Sequence, residues 1–347
     1  MYERLTSDIT KAPGDHGPKS GGHPELPGTS ELPGASALKG ILTLFTIQDA
    51  VLTGYLFAIT ALVARSEPSE IQAQCLRRTM ASVLVLVLGC IFARGATSVS
   101  PAIRRTVYRM VMPGIVLMNY LTLRDVLPIV RTDSLDLQLL QLDLMLFGVE
   151  PALWMERFNQ RPIVEWFAFF YFSYFFICGF YMLLAVWLRR PSRHTTEFAI
   201  GTGIVYCVGQ LGYMAVPGYG PIGALQHMYQ GPVDGGFFWK CVIDTVQAGG
   251  AMKDIFPSLH TASPLWFALW AFNSARYDKR FLPLAVVTAF FSGNIIISTM
   301  LLRWHYAIDV VAGVVLAVSA LFLSIRLSRW EEEFRGKMGE TAAWIFK

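Results

Sequence analysis

Eight apolar stretches, at residues 41–63, 79–92, 107–123, 166–188, 198–216, 261–272, 281–301 and 306–325, constrain this chain more than any other feature of it. In hydrocarbon no water reaches the backbone, so each stretch must satisfy its own N–H and C=O groups and form a helix, even where Phe and Val favour a strand. Two of them, 79–92 and 261–272, fall short of the roughly 20 residues a crossing needs. Their flanking turns have to complete the span. The expected fold is all-α, a polytopic integral membrane protein with about eight transmembrane helices.

Composition agrees. With 54% hydrophobic and 16% charged residues, the chain is more apolar than a soluble domain requires. The net charge of +4 is the balance that loop lysines and arginines produce when they orient membrane helices. No basic stripe interleaved with aromatics points to nucleic acid. Cys75, Cys90, Cys178, Cys207 and Cys241 form no CxxC pair, and three of them lie inside apolar runs, so they read as small core residues.

Residues 1–38 are dense in Gly, Pro and Ser and lack an apolar period, the pattern of a disordered tail. They also lack the charged start and apolar core of a secretory signal. With this tail on the cytoplasmic side, the larger share of the 29 Lys and Arg residues falls on that side, and both termini are cytoplasmic. The other face receives two long connections. One, LPIVRTDSLDLQLLQLDLMLFGVEPALWMERF, sets leucines at helical spacing beside Asp136 and Asp143, as in an amphipathic helix lying at the interface. The other runs from VPGYGPIG to Lys253 and ends at FPSLHTASPLWFALW.

Ionisable residues near the bilayer are costly and are functional candidates by default. In LLRWHYAIDVVAG, His305 and Asp309 stand four apart, on one helix face. A carboxylate that accepts the proton of one imidazole nitrogen fixes the tautomer and frees the other nitrogen to attack. Attack on phosphorus gives a phosphohistidine, and a second group must protonate the departing alkoxide. His260 is placed to do so. Pro257 suits a first helical position, so the N–H groups of Ser258, Leu259 and His260 are candidate donors to a phosphoryl group. The Ser258 hydroxyl and the charges of Arg303 and Lys253 add to that cradle. A His-His-Asp set would also serve as a zinc site, or as the proton carrier of a non-enzymatic transporter. Gln48 and Asp49 are explained by an interhelical hydrogen bond or a helix end. His227 reads as solvated, while His16, His23 and His194 fall in cytoplasmic tail or loop. Tyr171 and Tyr174, within WFAFFYFSYFF, are candidate wall residues on an otherwise lipid-facing and packing run.

PSLH at Pro257 to His260, and HYAID at His305 to Asp309 followed by Gly313, resemble the second and third motifs of the type-2 phosphatidic acid phosphatase superfamily. The resemblance implies a six-helix membrane core and a metal-independent phosphohistidine mechanism with no cofactor. His305 would be the nucleophile, Asp309 its orienter and His260 the acid. Ser298-Thr299 stand where the superfamily carries Ser-Arg, and the usual first motif is absent, since Arg189-Arg190-Pro191 and Arg161-Pro162 lack its lysine. Those departures are similar to the inositol phosphorylceramide synthase-like branch, as are FPSLH, HYxxD, LFGVEP at Leu146 to Pro151 and PGYGP at Pro217 to Pro221. The resemblance covers about residues 119–317, and it adds Ser298, Pro217 and Gly220 to the substrate-binding set of Ser258, Arg303 and Lys253.

The organisation that follows is a tail at 1–38, two additional N-terminal membrane helices at 39–106, a catalytic membrane domain at 107–326 and a cytoplasmic C-terminal tail at 327–347. The implied function is cleavage of a lipid phosphate ester drawn from the bilayer, at the non-cytoplasmic face, with transfer of the phosphoryl-containing group to an alcohol, as in sphingolipid or phospholipid headgroup transfer. With water as acceptor, the same steps make a lipid phosphate phosphatase.

Overall fold

The computed structural model describes residues 45–187 and 193–337. The expectations for residues 1–38 and for Arg189-Arg190-Pro191 lie outside the described residues. Among the described residues there are helices and no strands. The long helices are α1 (Ile47–Ala64), α2 (Glu70–Gly95), α3 (Pro101–Val130), α6 (Arg161–Trp187), α7 (Arg193–Ala215), α10 (Leu259–Ala275), α11 (Phe281–Leu301) and α12 (Ala307–Lys337). Shorter ones, α4 (Asp136–Phe147), α5 (Pro151–Met155), α8 (Gly220–Ala224) and α9 (Phe237–Gly249), occupy the two long connections.

Each expected apolar run coincides with one long helix, and seven helical stretches are long and apolar enough to cross a membrane. The exception is α10, at 17 residues. It is the innermost helix, with Trp266, Phe267 and Trp270 fully enclosed by protein. The Trp266 indole donates to Thr202 Oγ1 at 3.0 Å, the Trp270 indole donates to the His194 carbonyl at 3.0 Å, and Phe267 stacks on Tyr181 with centroids 4.4 Å apart. A helix wrapped by other helices has its side chains matched by protein rather than by lipid, so its length is not set by the bilayer. The other short run is lengthened as expected. Ser69 caps α2 by accepting the Gln72 N–H at 3.0 Å, which brings polar residues 70–78 into the helix.

α12 continues past residue 326 to Lys337, so the first part of the expected C-terminal tail is helix. The cause is a pair one turn apart: Arg335 binds Glu331 at 3.0 Å and donates to the Phe45 carbonyl at 2.7 Å, tying this end to the start of α1. Beside it, Asp49 closes a capping box with Thr46 and pairs with Arg94 of α2 at 2.6 Å, and Gln48 donates to Tyr108 of α3. Gln48 and Asp49 are therefore both helix-end and interhelical groups. His194 lies in the first turn of α7 rather than in a loop. His227 sits exposed in a 3₁₀ turn. In WFAFFYFSYFF, Trp166 and Phe176 face outward while Phe170, Tyr171 and Tyr174 are buried.

Glycines set how closely the start of α10 is held. A Cβ on Gly209 or Gly212 of α7 would come within 2.5 Å of Leu259 or 2.4 Å of Pro257, and one on Gly313 of α12 within 2.6 Å of the Ser258 carbonyl. The FPSLH segment is thus clasped between α7 and α12 by backbone contact. Overpacking such a contact costs about 1–3 kcal/mol. Gly313→Val is expected to lower the thermal unfolding temperature of the detergent-purified protein. An unchanged transition would contradict close packing at this point.

Candidate active site

The turn between α11 and α12 presents His305. The N–H groups of Trp304 and His305 both donate to the Thr299 carbonyl, at 2.9 and 3.1 Å, and Arg303 reverses the chain with a left-handed φ of 66°. Two residues past His305, α12 begins. The Asp309 carboxylate accepts the Tyr306 N–H at 3.0 Å and stands with the same oxygen 3.4 Å from His305 Nδ1. That is longer than a tight hydrogen bond, and such pairs shorten as charge develops on the ring. The Asp309 carbonyl meanwhile accepts the Ser258 N–H at 3.0 Å. One residue therefore holds both motifs, through its side chain on one side and its backbone on the other.

His260 stands in the first turn of α10, after a cis Phe256–Pro257 bond. Ser258 is the N-cap, accepting the Thr261 N–H at 3.3 Å, so Pro257 precedes the cap and does not take the first helical position. The His260 ring stacks on Tyr171 at 4.3 Å and 15°, and Tyr174 lies against it at 4.2 Å and 38°. Its Nδ1 faces the Tyr171 hydroxyl at 3.5 Å, and its Nε2 is buried without a hydrogen-bond partner among the described residues. The ring centroids of His260 and His305 are 6.0 Å apart.

Burial pushes the His305 imidazole down to about 3, against the opposing effect of the Ile255 carbonyl that it meets. The ring is neutral near pH 7, with a lone pair for attack.

α4 supplies what sequence reasoning undervalued. Its aspartates point inward, with Asp143 fully buried, and Leu137, Leu142, Leu144, Met145 and Leu146 point outward. Asp143 accepts the N–H groups of Ala307 and Ile308, at 2.7 and 2.8 Å, and so caps α12 against its positive end. Asp136 accepts the Tyr306 hydroxyl at 3.1 Å and the N–H groups of Tyr219 and Gly220 at 2.9 Å each. Gly220, with φ 74°, lies so close to the turn that a Cβ would come within 2.3 Å of the Trp304 carbonyl. PGYGP is thereby folded onto the residues just before His305. The signal was present in the sequence: Asp136 and Asp143 are seven apart and share one helix face.

The remaining candidates are engaged elsewhere. Lys253 Nζ donates to the carbonyls of Arg131, Thr132 and Asp133, at 3.3, 2.9 and 3.0 Å, so its three protons clamp a loop. Arg303 donates to the Gly231 carbonyl at 2.8 Å, pairs with Glu156 at 3.3 Å and lies 3.7 Å over the Tyr229 ring. Ser298 Oγ donates to the Ile295 carbonyl at 2.6 Å, and Pro217 accepts the Leu135 N–H at 2.8 Å. The expected anion cradle is corrected in part. The Ser258 N–H goes to Asp309 and the Leu259 N–H to the Tyr213 hydroxyl, because a buried helix end must satisfy its donors with protein groups. Among the described residues no group of three or more His, Cys, Asp or Glu is arranged to hold a metal ion.

The profile of the PAP2 superfamily matches residues 137–323, more than half of the chain, from α4 through most of α12 and including His260, His305 and Asp309. The chain belongs to the PAP2 superfamily. It is thus a membrane protein of phosphatase type, with α1 to α3 preceding the PAP2 region. Comparisons with curated proteins and with solved structures gave no match.

Within the PAP2 region, Glu150 sits buried beside Asp143, and burial followed by the Asp143 charge pushes its carboxyl up to about 8. A carboxyl raised on folding stabilises the native state fully below its unfolded value near 4.5, and that contribution is lost as pH rises through about 8. The contribution of Glu150 to the thermal stability of the wild type is expected to fall between about pH 4.5 and pH 8. Glu150→Gln, which keeps a polar group without the titration, is expected to flatten that fall; equal slopes for the two proteins would contradict the assignment.

Proposed function

We propose that this PAP2 protein cleaves a lipid phosphate ester through a phosphohistidine on His305 and passes the phosphoryl-containing group to an alcohol. The observation that carries the reading is the pair of imidazoles 6.0 Å apart, one neutral and facing a carboxylate, the other enclosed by aromatic rings. Nε2 of His305 attacks phosphorus while Asp309 holds Nδ1 and stabilises the imidazolium that develops. The P–O bond to the leaving group breaks, and His260, protonated when the anionic phosphate ester is bound, delivers its proton to the alkoxide. In the second half, the acceptor hydroxyl loses its proton to His260 as its oxygen attacks phosphorus, and the P–N bond breaks. Arg303, Ser258 and Gly220 are proposed to fix the turn and the helix start that carry the two histidines, through the groups they hold or pack against. Lys253, Ser298 and Pro217 contribute through the backbone they hold.

Transfer is favoured over hydrolysis by two features. The FPSLH, HYxxD, LFGVEP and PGYGP elements occur together in the inositol phosphorylceramide synthase-like branch, where an alcohol accepts the group. Tyr171, Tyr174 and Trp304 wall the His260 side, an environment that keeps water from a reactive phosphoenzyme. The bias of basic residues supports a site that opens on the non-cytoplasmic face, with the lipid entering from the bilayer.

Incubation with phosphorus-labelled phosphatidic acid or phosphatidylinositol is expected to leave an acid-labile label on the protein. His305→Ala is expected to remove that label and to reduce turnover at least about a thousandfold. A label that persists in His305→Ala contradicts the assignment of the nucleophile. Activity is expected to survive EDTA and to be inhibited by vanadate; loss in EDTA would favour a metal site. Transfer yields labelled lipid, whereas release of inorganic phosphate alone would make the protein a phosphatase.

A further inference from the structure

A second carboxyl group, near the tyrosines that surround His260, takes no part in the steps above. Asp254, six residues before His260, is half-buried in the loop that leads into α10. Its carboxylate accepts the Tyr120 hydroxyl of α3 at 3.3 Å. It lies within electrostatic reach of Tyr171 of α6 and Tyr213 of α7. Those two tyrosines belong to the His260 surroundings: Tyr171 stacks on the ring and faces its Nδ1, and Tyr213 accepts the N–H of the preceding Leu259. Among the described residues no Lys, Arg or His forms an ion pair with Asp254 within 4.0 Å.

Such a carboxyl group is costly in an aromatic enclosure. Burial pushes it up to about 7, so near neutral pH it is divided between its acid and its carboxylate. Asp254, Tyr120 and His260 are each partly open in this enclosure, although the Nε2 atom of His260 is itself buried, whereas Tyr171 and Tyr213 are buried. His260 Nε2 has no partner, and Asp254, which also accepts its own backbone N–H, has acceptor capacity beyond that and its one tyrosine. An alcohol that presents its reacting hydroxyl to His260 and a second hydroxyl or N–H to Asp254 would satisfy both.

Resting on the phosphohistidine reading, we propose that Asp254 and Tyr120 form the acceptor subsite, which selects an alcohol carrying a second hydrogen-bond donor beside the hydroxyl that reacts. In the transfer step the reacting hydroxyl gives its proton to His260 Nε2, its oxygen forms the new P–O bond, and the P–N bond to His305 breaks with its electron pair returning to the imidazole. Asp254 keeps its partner hydroxyl in place throughout and exchanges no proton with phosphorus. It is a specificity group for the second half of the cycle.

The test uses the full-length protein in detergent, phosphorus-labelled phosphatidylinositol or phosphatidic acid as donor, and three acceptors. Ceramide and monoacylglycerol carry a second donor beside the reacting hydroxyl; a short-chain diacylglycerol, whose product separates by chain length from the labelled donor, does not. The wild type is expected to prefer the first two at least tenfold. Asp254→Asn and the milder Tyr120→Phe are each expected to erase most of that preference, and with ceramide to raise the steady-state acid-labile label as the transfer product falls, because discharge of the intermediate is slowed. Fold is read separately, from an unchanged thermal transition in each variant. A label that falls with the product in both variants, or a preference that survives in both, would overturn the subsite while leaving the wild-type phosphoenzyme intact. No label on the wild type with either donor would remove the phosphohistidine reading and the subsite with it.

Discussion

The bond from the Ser258 N–H to the Asp309 carbonyl is where this structure is decided. Both groups belong to helix beginnings that lie buried, and an unsatisfied backbone group there costs on the order of 1–3 kcal/mol. Two helices that start in an enclosed place have to find partners for their first N–H groups. Here those of α10 find the Asp309 carbonyl of α12 and the Tyr213 hydroxyl of α7, and those of α12 find Asp143 of α4. Joining the start of α10 to the start of α12 leaves little freedom in where His260 and His305 can go. The glycine contacts at 209, 212 and 313 then set the separation.

The same demand explains the inward carboxylates of α4. In water an amphipathic helix turns its charges out. Here Asp136 and Asp143 meet a hydroxyl and four backbone N–H groups, each a partner that an exposed aspartate would have exchanged for water. The leucines left outside face whatever apolar medium surrounds the protein. A structural need, capping α12, thus fixes the residue that follows it one turn in, Asp309, and through it His305. Burial raises the carboxyls of both Asp143, which caps α12, and its neighbour Glu150.

Much of this was readable from the chain. Hydropathy located the long helices, because a membrane leaves one backbone solution for each apolar run. The spacing of His305 and Asp309 placed them on one face, and the contact of His260 with His305 agrees with both motifs opening helices on one side. What sequence could not supply was the destination of each polar group. Lys253 and Arg303 read as loose cations near the motifs, yet their partners are carbonyls of residues 131–133 and 231, far away in sequence. Asp254 and Glu150 carried no periodic signal at all, since a single residue in a loop announces neither its burial nor its neighbours. The reach of α12 to Lys337 was missed for the same reason, because its anchor at Phe45 lies at the opposite end of the chain.

Everything functional in this picture requires that two imidazoles address a single phosphorus atom. A structure of the protein with orthovanadate, which reproduces five-coordinate phosphorus, examines that requirement directly. The expected density places vanadium in bonding distance of His305 Nε2, with an oxygen hydrogen-bonded to His260 on the opposite side and Asp309 closed onto Nδ1. Vanadate bound away from His305, or held by His305 with His260 turned from it, would contradict the account.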